Sequence, residues 1–191
     1  MNLQLWLIRH GETEWSLSGA HTSRTDIPLT ARGEERAAKI RDYLAHRNFS
    51  LVLTSPMLRA RETCRIAGYG DVAKIEENLR EWDYGIYEGR TTAEIRKEHP
   101  NWSIWDAPPP EGEPVEHVAV RAQQVIDRAV NTGGNVALFA HAHILRILAV
   151  TWLGLPPRDG SLLALSTGSV STLGFERETR VISTWNRSLE E

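Results

Sequence analysis

The stretch Leu3-Gln4-Leu5-Trp6-Leu7-Ile8-Arg9-His10-Gly11-Glu12 decides the fold class. Its apolar run is too short to cross a bilayer, and it stops abruptly at Arg9-His10, which reads as a buried strand. A second run has the same form: Val136-Ala137-Leu138-Phe139-Ala140 closes on His141-Ala142-His143. Strands that are apolar throughout belong in parallel sheets with both faces covered by helices. Helical patterns do alternate with them. Thr30 is a good N-cap, and Ala37, Ile40 and Leu44 follow at helical spacing, which predicts a helix through His46. Leu51-Val52-Leu53-Thr54 is another buried strand, followed by a helix over 59–67 and a strand over 72–76. Val115, Val118, Ala122, Val125, Ile126 and Ala129 form a 3.6-period stripe, so 115–131 is a helix that ends at Gly133-Gly134.

The rest of the chain fits between these anchors. A short helix is expected over 91–99. The segment 100–114 holds five prolines and Trp102 and Trp105, which predicts an irregular surface loop. A helix over 144–153 and strands over 162–165, 169–176 and 180–185 complete the reading, the last two as a hairpin. No repeat is present. The expectation is an α/β protein, a three-layer α/β/α sandwich with a mainly parallel central sheet, in a single domain over 1–191.

Composition bounds the partners. The chain has 191 residues and a formal net charge of −3, with 41% hydrophobic and 25% charged residues, so it is neither disordered nor fibrous. Near-neutral charge provides no global field for nucleic acid or an acidic membrane surface, so neither is expected as a partner. The single cysteine, Cys64, rules out an intramolecular disulfide and a cysteine metal cluster, and it reads as a small packed hydrophobe. With no targeting or membrane segment in the sequence, a cytoplasmic protein is expected.

In open α/β sheets ligands bind beyond the carboxyl ends of the strands. His10 and His141 both stand at such ends, each followed by a small residue that lets backbone approach a ligand closely. Arg9 precedes His10, and Arg59 follows the strand that ends at Thr54-Ser55-Pro56, so two guanidiniums are expected beside two imidazoles. Arginine matches phosphate oxygens with two parallel donors and stays charged at any working pH. A metal site is not expected: His141-Ala142-His143 lacks an accompanying carboxylate pattern, and the arginines would repel a cation. No cofactor is expected either. Such a set suits phosphoryl transfer through a phosphohistidine, with Glu81 as the leading candidate acid and Glu12 and Asp83 behind it.

At this point the sequence resembles the histidine phosphatase superfamily, also called phosphoglycerate mutase-like. The segment Leu7-Ile8-Arg9-His10-Gly11-Glu12-Thr13-Glu14-Trp15 is similar to its hallmark motif. Further matches follow in the family's order: Asp26-Ile27-Pro28-Leu29-Thr30, Thr54-Ser55-Pro56 through Arg59-Ala60-Arg61-Glu62-Thr63, Glu81 with Tyr84-Gly85 and Glu88-Gly89, and His141 with Leu145-Arg146. The resemblance implies His10 as nucleophile, His141 as the second imidazole, Arg9 and Arg59 as phosphate clamps, and Glu81 as proton donor and later acceptor. It also implies substrate contacts by the loop after the first motif, carried here by Ser16, Thr22 and Ser23, with Tyr84, Ala142 and His143 as further substrate-binding candidates.

Three positions depart from the family. Ala142 stands where glycine is usual, so the backbone there must be ordinary or slightly strained. Ser16 and Trp82 replace the asparagine and arginine of the mutase branch, removing groups for a phosphoglycerate's second charged end. The short interval from Glu81 to His141 leaves a phosphohistidine open to water, which favours a phosphatase; the resemblance is nearest to acid phosphatases and sugar-bisphosphatases. The expected substrate is a small phosphomonoester of the sugar phosphate type, with Trp82, Tyr84, Trp102 and Trp105 as flat surface above the phosphate. An acidic optimum follows if Glu81 starts protonated. The alternatives are a cofactor-dependent phosphoglycerate mutase, a protein phosphohistidine or phosphoserine signalling phosphatase, and a non-catalytic binding module. A homodimer through the edge of the 169–185 hairpin is compatible with the pattern.

Overall fold

The structure is a computed structural model that describes residues 3–189. Six strands form one sheet: β1 (Gln4–Arg9), β2 (Leu51–Thr54), β3 (Lys74–Ile75), β4 (Asn135–Ala140), β5 (Val170–Glu176) and β6 (Thr179–Arg187). Their order is β3-β2-β4-β1-β5-β6, with β1 to β4 parallel and the β5–β6 hairpin attached antiparallel to β1. The helices are α1 (Glu14–Ser18), α2 (Ala31–Leu44), α3 (Leu58–Ile66), α4 (Thr92–Glu98), α5 (Val115–Thr132) and α6 (Ala142–Trp152).

The apolar strands are buried on both faces because successive side chains alternate across the sheet. Leu5, Leu7, Val136 and Leu138 face α5 and α6, where Val118, Ala122, Val125 and Ile126 meet Ile144, Leu145 and Leu148. Trp6, Ile8, Ala137 and Phe139 face the opposite way, onto Ile40 and Leu44 of α2 and Cys64 of α3. The three layers follow from this division. Cys64 is a free, buried thiol, pushed up to about 12 by burial, as a packed hydrophobe should be.

The register of β1 against β4 pairs Arg9 with Ala140. His10 and His141 therefore leave the sheet side by side, at the carboxyl edge of its two central parallel strands. Gly11 is required by packing: a Cβ there would stand 2.4 Å from the Gly33 carbonyl oxygen, and one on Gly33 would stand 2.2 Å from that of Glu12. The small residue after His10 thus serves a backbone crossing with the start of α2, where approach to a ligand was expected.

Two elements differ from the sequence reading. The strand expected over 162–165 is absent; Pro157–Leu162 is a 3-10 turn followed by irregular chain. Side chains there take the backbone oxygens a ladder would use: Arg146 reaches those of Gly160 and Ser161, Trp185 that of Ala164, and Arg9 that of Leu165. The second is α1, closed by a capping box in which Ser16 N–H donates to Thr13 Oγ1 while Thr13 N–H donates to Ser16 Oγ. Serine in place of the usual Glu or Gln at that third position hides the signature.

Candidate active site

His10 is 5% exposed, and its Nδ1 lies 2.7 Å from the Gly11 carbonyl oxygen. A carbonyl only accepts, so Nδ1 carries the hydrogen and Nε2 keeps its lone pair. Burial, then the nearby charges of Arg59 and Arg9, hold His10 well below the ordinary histidine range, so the ring is neutral. A neutral imidazole with its lone pair on Nε2 is a nucleophile ready for use.

His141 is 0% exposed, and its ring centroid lies 5.2 Å from that of His10. Arg59 Nε–H donates to His141 Nδ1 at 3.1 Å, which places the hydrogen of His141 on Nε2, and Nε2–H donates to Ser55 Oγ at 2.8 Å. Burial and the Arg59 charge keep this ring neutral too. The remaining donors of Arg59 reach back to the loop after α1, where Nη1 bonds the Thr25 carbonyl oxygen and Nη2 those of Thr22 and Ser23. Arg59, expected as a phosphate clamp, is thus buried as a hub that ties one imidazole to one loop. The Glu88 carboxylate grips the same loop from outside, accepting from the backbone N–H groups of Ser23 and Thr25.

Arg9 donates from Nη1 to the Leu165 carbonyl oxygen, while its buried Nε has no partner among the described residues. Burial lowers its pKa to about 10, leaving it charged at neutral pH. Behind His10 lies a guanidinium with a donor unspent.

Glu81 is 6% exposed and accepts backbone N–H groups from Trp82, His143 and Ile144, each at 3.0 Å. The last two open α6, whose N-cap residue, His141, makes no side-chain cap because its ring is engaged in the site. Glu81 thus caps the helix from another segment, satisfying two of the free N–H groups of its first turn. The weaker acid candidates are engaged elsewhere: Glu12 accepts from Thr30 Oγ1 at 2.9 Å, and Asp83 accepts from the Gly85 N–H at 2.9 Å.

A cavity of about 160 Å³ opens over Arg9, His10 and Glu81, with Thr13, Trp15, Ser16, Gly19, Ala20, His21, Thr22, Tyr84, Ala142 and His143 completing its wall; His141 and Arg59 stand behind that lining, His141 beside the His10 ring. Ser16 and Thr22 stand in its wall with hydroxyls that donate to the Thr13 and Ala20 carbonyl oxygens. Ser23 stands outside it, on a neighbouring cavity. The Tyr84 hydroxyl meets His143 Nδ1 at 2.7 Å, and His21 stacks on Tyr84 at 4.6 Å. Of the four aromatic residues expected above the phosphate, Tyr84 lines this cavity. Trp82 packs behind it with Nε1–H donated to the Glu113 carbonyl oxygen, Trp105 packs on Trp82 and His143, and Trp102 on His21 and Tyr87. Ala142 begins α6 and is not among the residues with positive φ, so no strain attends its side chain.

Sequence reasoning missed the hold on the loop and on His141. Ser55 and Glu88 both belong to the motifs shared with the family, but nothing in their spacing reveals that one holds an imidazole and the other a loop.

The family model described as "Histidine phosphatase superfamily (branch 1)" matches residues 5–188. The chain is 36% identical over 186 residues to a Mycobacterium tuberculosis protein named acid phosphatase, covering 95% of this chain and 91% of that protein. It is also 36% identical over 182 residues to the Saccharomyces cerevisiae sedoheptulose 1,7-bisphosphatase, covering 78% of this chain and 67% of that one. A solved structure of a Mycobacterium tuberculosis open reading frame superposes with a TM-score of 0.95 at 34% identity, with 100% of both chains covered.

Proposed function

Because the chain belongs to the histidine phosphatase superfamily and is a phosphoric monoester hydrolase, we propose that it hydrolyses small sugar phosphate-like monoesters through a phosphohistidine on His10. The observation that carries the reading is the fixed tautomer of His10, with Nδ1–H spent on the Gly11 carbonyl and the Nε2 lone pair left to attack. The cavity it lines has the size of a phosphoryl group with a small part of its ester.

In the first step the Nε2 lone pair forms a bond to phosphorus as the ester P–O bond breaks, and Glu81 hands its proton to the leaving oxygen. The positive charges of Arg9 and Arg59 offset the charge that builds on the phosphoryl oxygens. His141 stands beside the nucleophile, and Arg59 acts as a positioning residue for that ring and for the 22–25 loop. In the second step water attacks phosphorus and gives a proton to Glu81, and the P–N pair returns to Nε2. Inorganic phosphate leaves and His10 regains its first state. Each step needs only groups of this chain, so turnover without a metal is part of the proposal.

The mutase reading gains no support at Trp82, which is fully buried and brings no charge toward the cavity. The test is phosphate release from a panel of sugar phosphates, phosphoglycerates, phosphoamino acids and p-nitrophenyl phosphate in EDTA. Turnover that survives EDTA and disappears in His10→Ala supports the proposal. Interconversion of phosphoglycerates that depends on a bisphosphorylated primer, without net phosphate release, overturns it.

A further inference from the structure

A second cavity of about 580 Å³ lies on the other side of Glu81, lined by Ser23, Arg24, Glu81, Asp83, His117 and Arg121 among others. The catalytic cavity and this one share Glu81, and the adjacent residues Thr22 and Ser23 line one each. The partition is therefore one step of a loop and the carboxylate that protonates the leaving oxygen. A phosphoryl group placed against His10 directs the ester's alcohol part toward Glu81, and the larger space begins where that carboxylate ends.

The charges of this cavity are already matched. Arg24 pairs with Asp83 at 3.4 Å, Arg80 with Glu77 at 2.6 Å, and Arg121 holds Glu113 through two bonds of 2.8 and 2.7 Å. Among the described residues, every arginine that lines this cavity already faces a carboxylate, so none stands ready for a second phosphate. Paired ions of both signs do offer many donors and acceptors to a neutral polar molecule, and the buried Ser23 hydroxyl has no partner among the described residues. Glu113 and Pro114 sit at the start of α5, the former at the end of the proline-rich 100–114 loop, so that loop forms one wall of this space.

We propose that this second cavity is the leaving-group site, and that it takes the uncharged, polyhydroxylated alcohol part of a phosphomonoester. The assignment rests on the phosphatase reading above and narrows its substrate: long neutral sugar monophosphates are preferred to bisphosphates and to phosphoglycerates. Thr22 stands in the catalytic wall and Ser23 and Arg24 in the sugar wall, on one loop held by Arg59 and Glu88.

The test measures kcat/KM for a hexose monophosphate, the matching hexose bisphosphate and ethyl phosphate, in wild type, His117→Trp and Ser23→Ala. His117 is exposed on the first turn of α5, so a tryptophan there fills the cavity without entering the core. The expected result is a hexose-to-ethyl ratio that falls about tenfold in His117→Trp and by a smaller factor in Ser23→Ala, with the bisphosphate the poorer hexose substrate in wild type. Ratios unmoved by both variants, while every ester is still hydrolysed, overturn the leaving-group site and leave the phosphatase reading standing. A bisphosphate that outperforms the monophosphate overturns the neutral-ligand assignment, and hydrolysis of none of the esters overturns both readings.

Discussion

Arg59 Nε–H donates to His141 Nδ1 at 3.1 Å, so a guanidinium on α3 sets the tautomer of an imidazole at the mouth of β4. The same guanidinium bonds three backbone oxygens of the loop after α1. One side chain thereby couples a ring beside His10 to the loop that walls the cavity.

Arg59→Ala removes all four bonds, leaves buried carbonyl oxygens unpaired and opens a void, which lowers stability by about 3 kcal/mol or more. Arg59→Lys keeps the charge but not the planar fork, and it fails to restore activity. Thermal unfolding and kcat/KM of the two variants check this; a lysine variant with wild-type kcat/KM contradicts the positioning role.

Glu88→Gln keeps one acceptor but turns an amide N–H₂ toward the Ser23 or Thr25 N–H. The loop loses its outer grip at a cost of roughly 1–3 kcal/mol. KM rises more than kcat falls, because the reacting groups stay in place. Steady-state kinetics with a sugar phosphate separate the two constants, and a change confined to kcat goes against the assignment.

Ala142 occupies ordinary helical backbone at the start of α6. Ala142→Gly, which restores the residue usual in the family, gains no freedom the site uses and costs up to ~1 kcal/mol of helix stability. Denaturant melts and kcat/KM measure both quantities. An increase in activity with unchanged stability refutes the view that Ala142 is unstrained.

His10, His141 and His143 are all held well below the ordinary histidine value of 6.5 by burial first. Below that value the unfolded chain binds protons that the folded chain does not, so stability is fully present above it and falls as pH is lowered. The slope is up to about 1.4 kcal/mol per pH unit for each ring. The Tm of the ligand-free protein therefore drops between pH 6.5 and 5. For the same reason His10 remains a neutral nucleophile in mild acid, and the acidic limb of kcat/KM lies below the ordinary histidine range. A Tm that is flat over that interval, or a limb at an ordinary histidine value, contradicts this.

The two histidine-ended strands were legible because buried parallel strands are written in unbroken apolar residues, and β1 pairs with β4 as those runs imply. The 115–131 stripe likewise became α5. The 162–165 segment misled because Leu162, Leu163 and Leu165 carry strand-like apolarity while the backbone oxygens of Ala164 and Leu165 serve distant side chains. Such long-range side chain to backbone bonds leave no period in a sequence. Contacts between residues far apart in the chain are equally silent, which hides the work of Ser55 on His141 and of Glu88 on the 22–25 loop, and also the inward turn of Arg59, whose residue type speaks of phosphate while its bonds are to three carbonyl oxygens and the His141 ring. His10, Arg9 and Glu81 stand together in the cavity wall, since strand ends and one motif place them there directly.

The most direct measurement is to quench the enzyme with substrate during turnover and locate the phosphoryl group by mass spectrometry under alkaline conditions, where phosphohistidine survives. The expected result is an acid-labile phosphate on His10, absent from His10→Ala and accumulating in Glu81→Ala supplied with p-nitrophenyl phosphate, whose leaving group needs no acid while the attacking water still lacks its base. Turnover with no phosphorylated His10 in either enzyme, or the phosphate on another residue, would contradict the central claim.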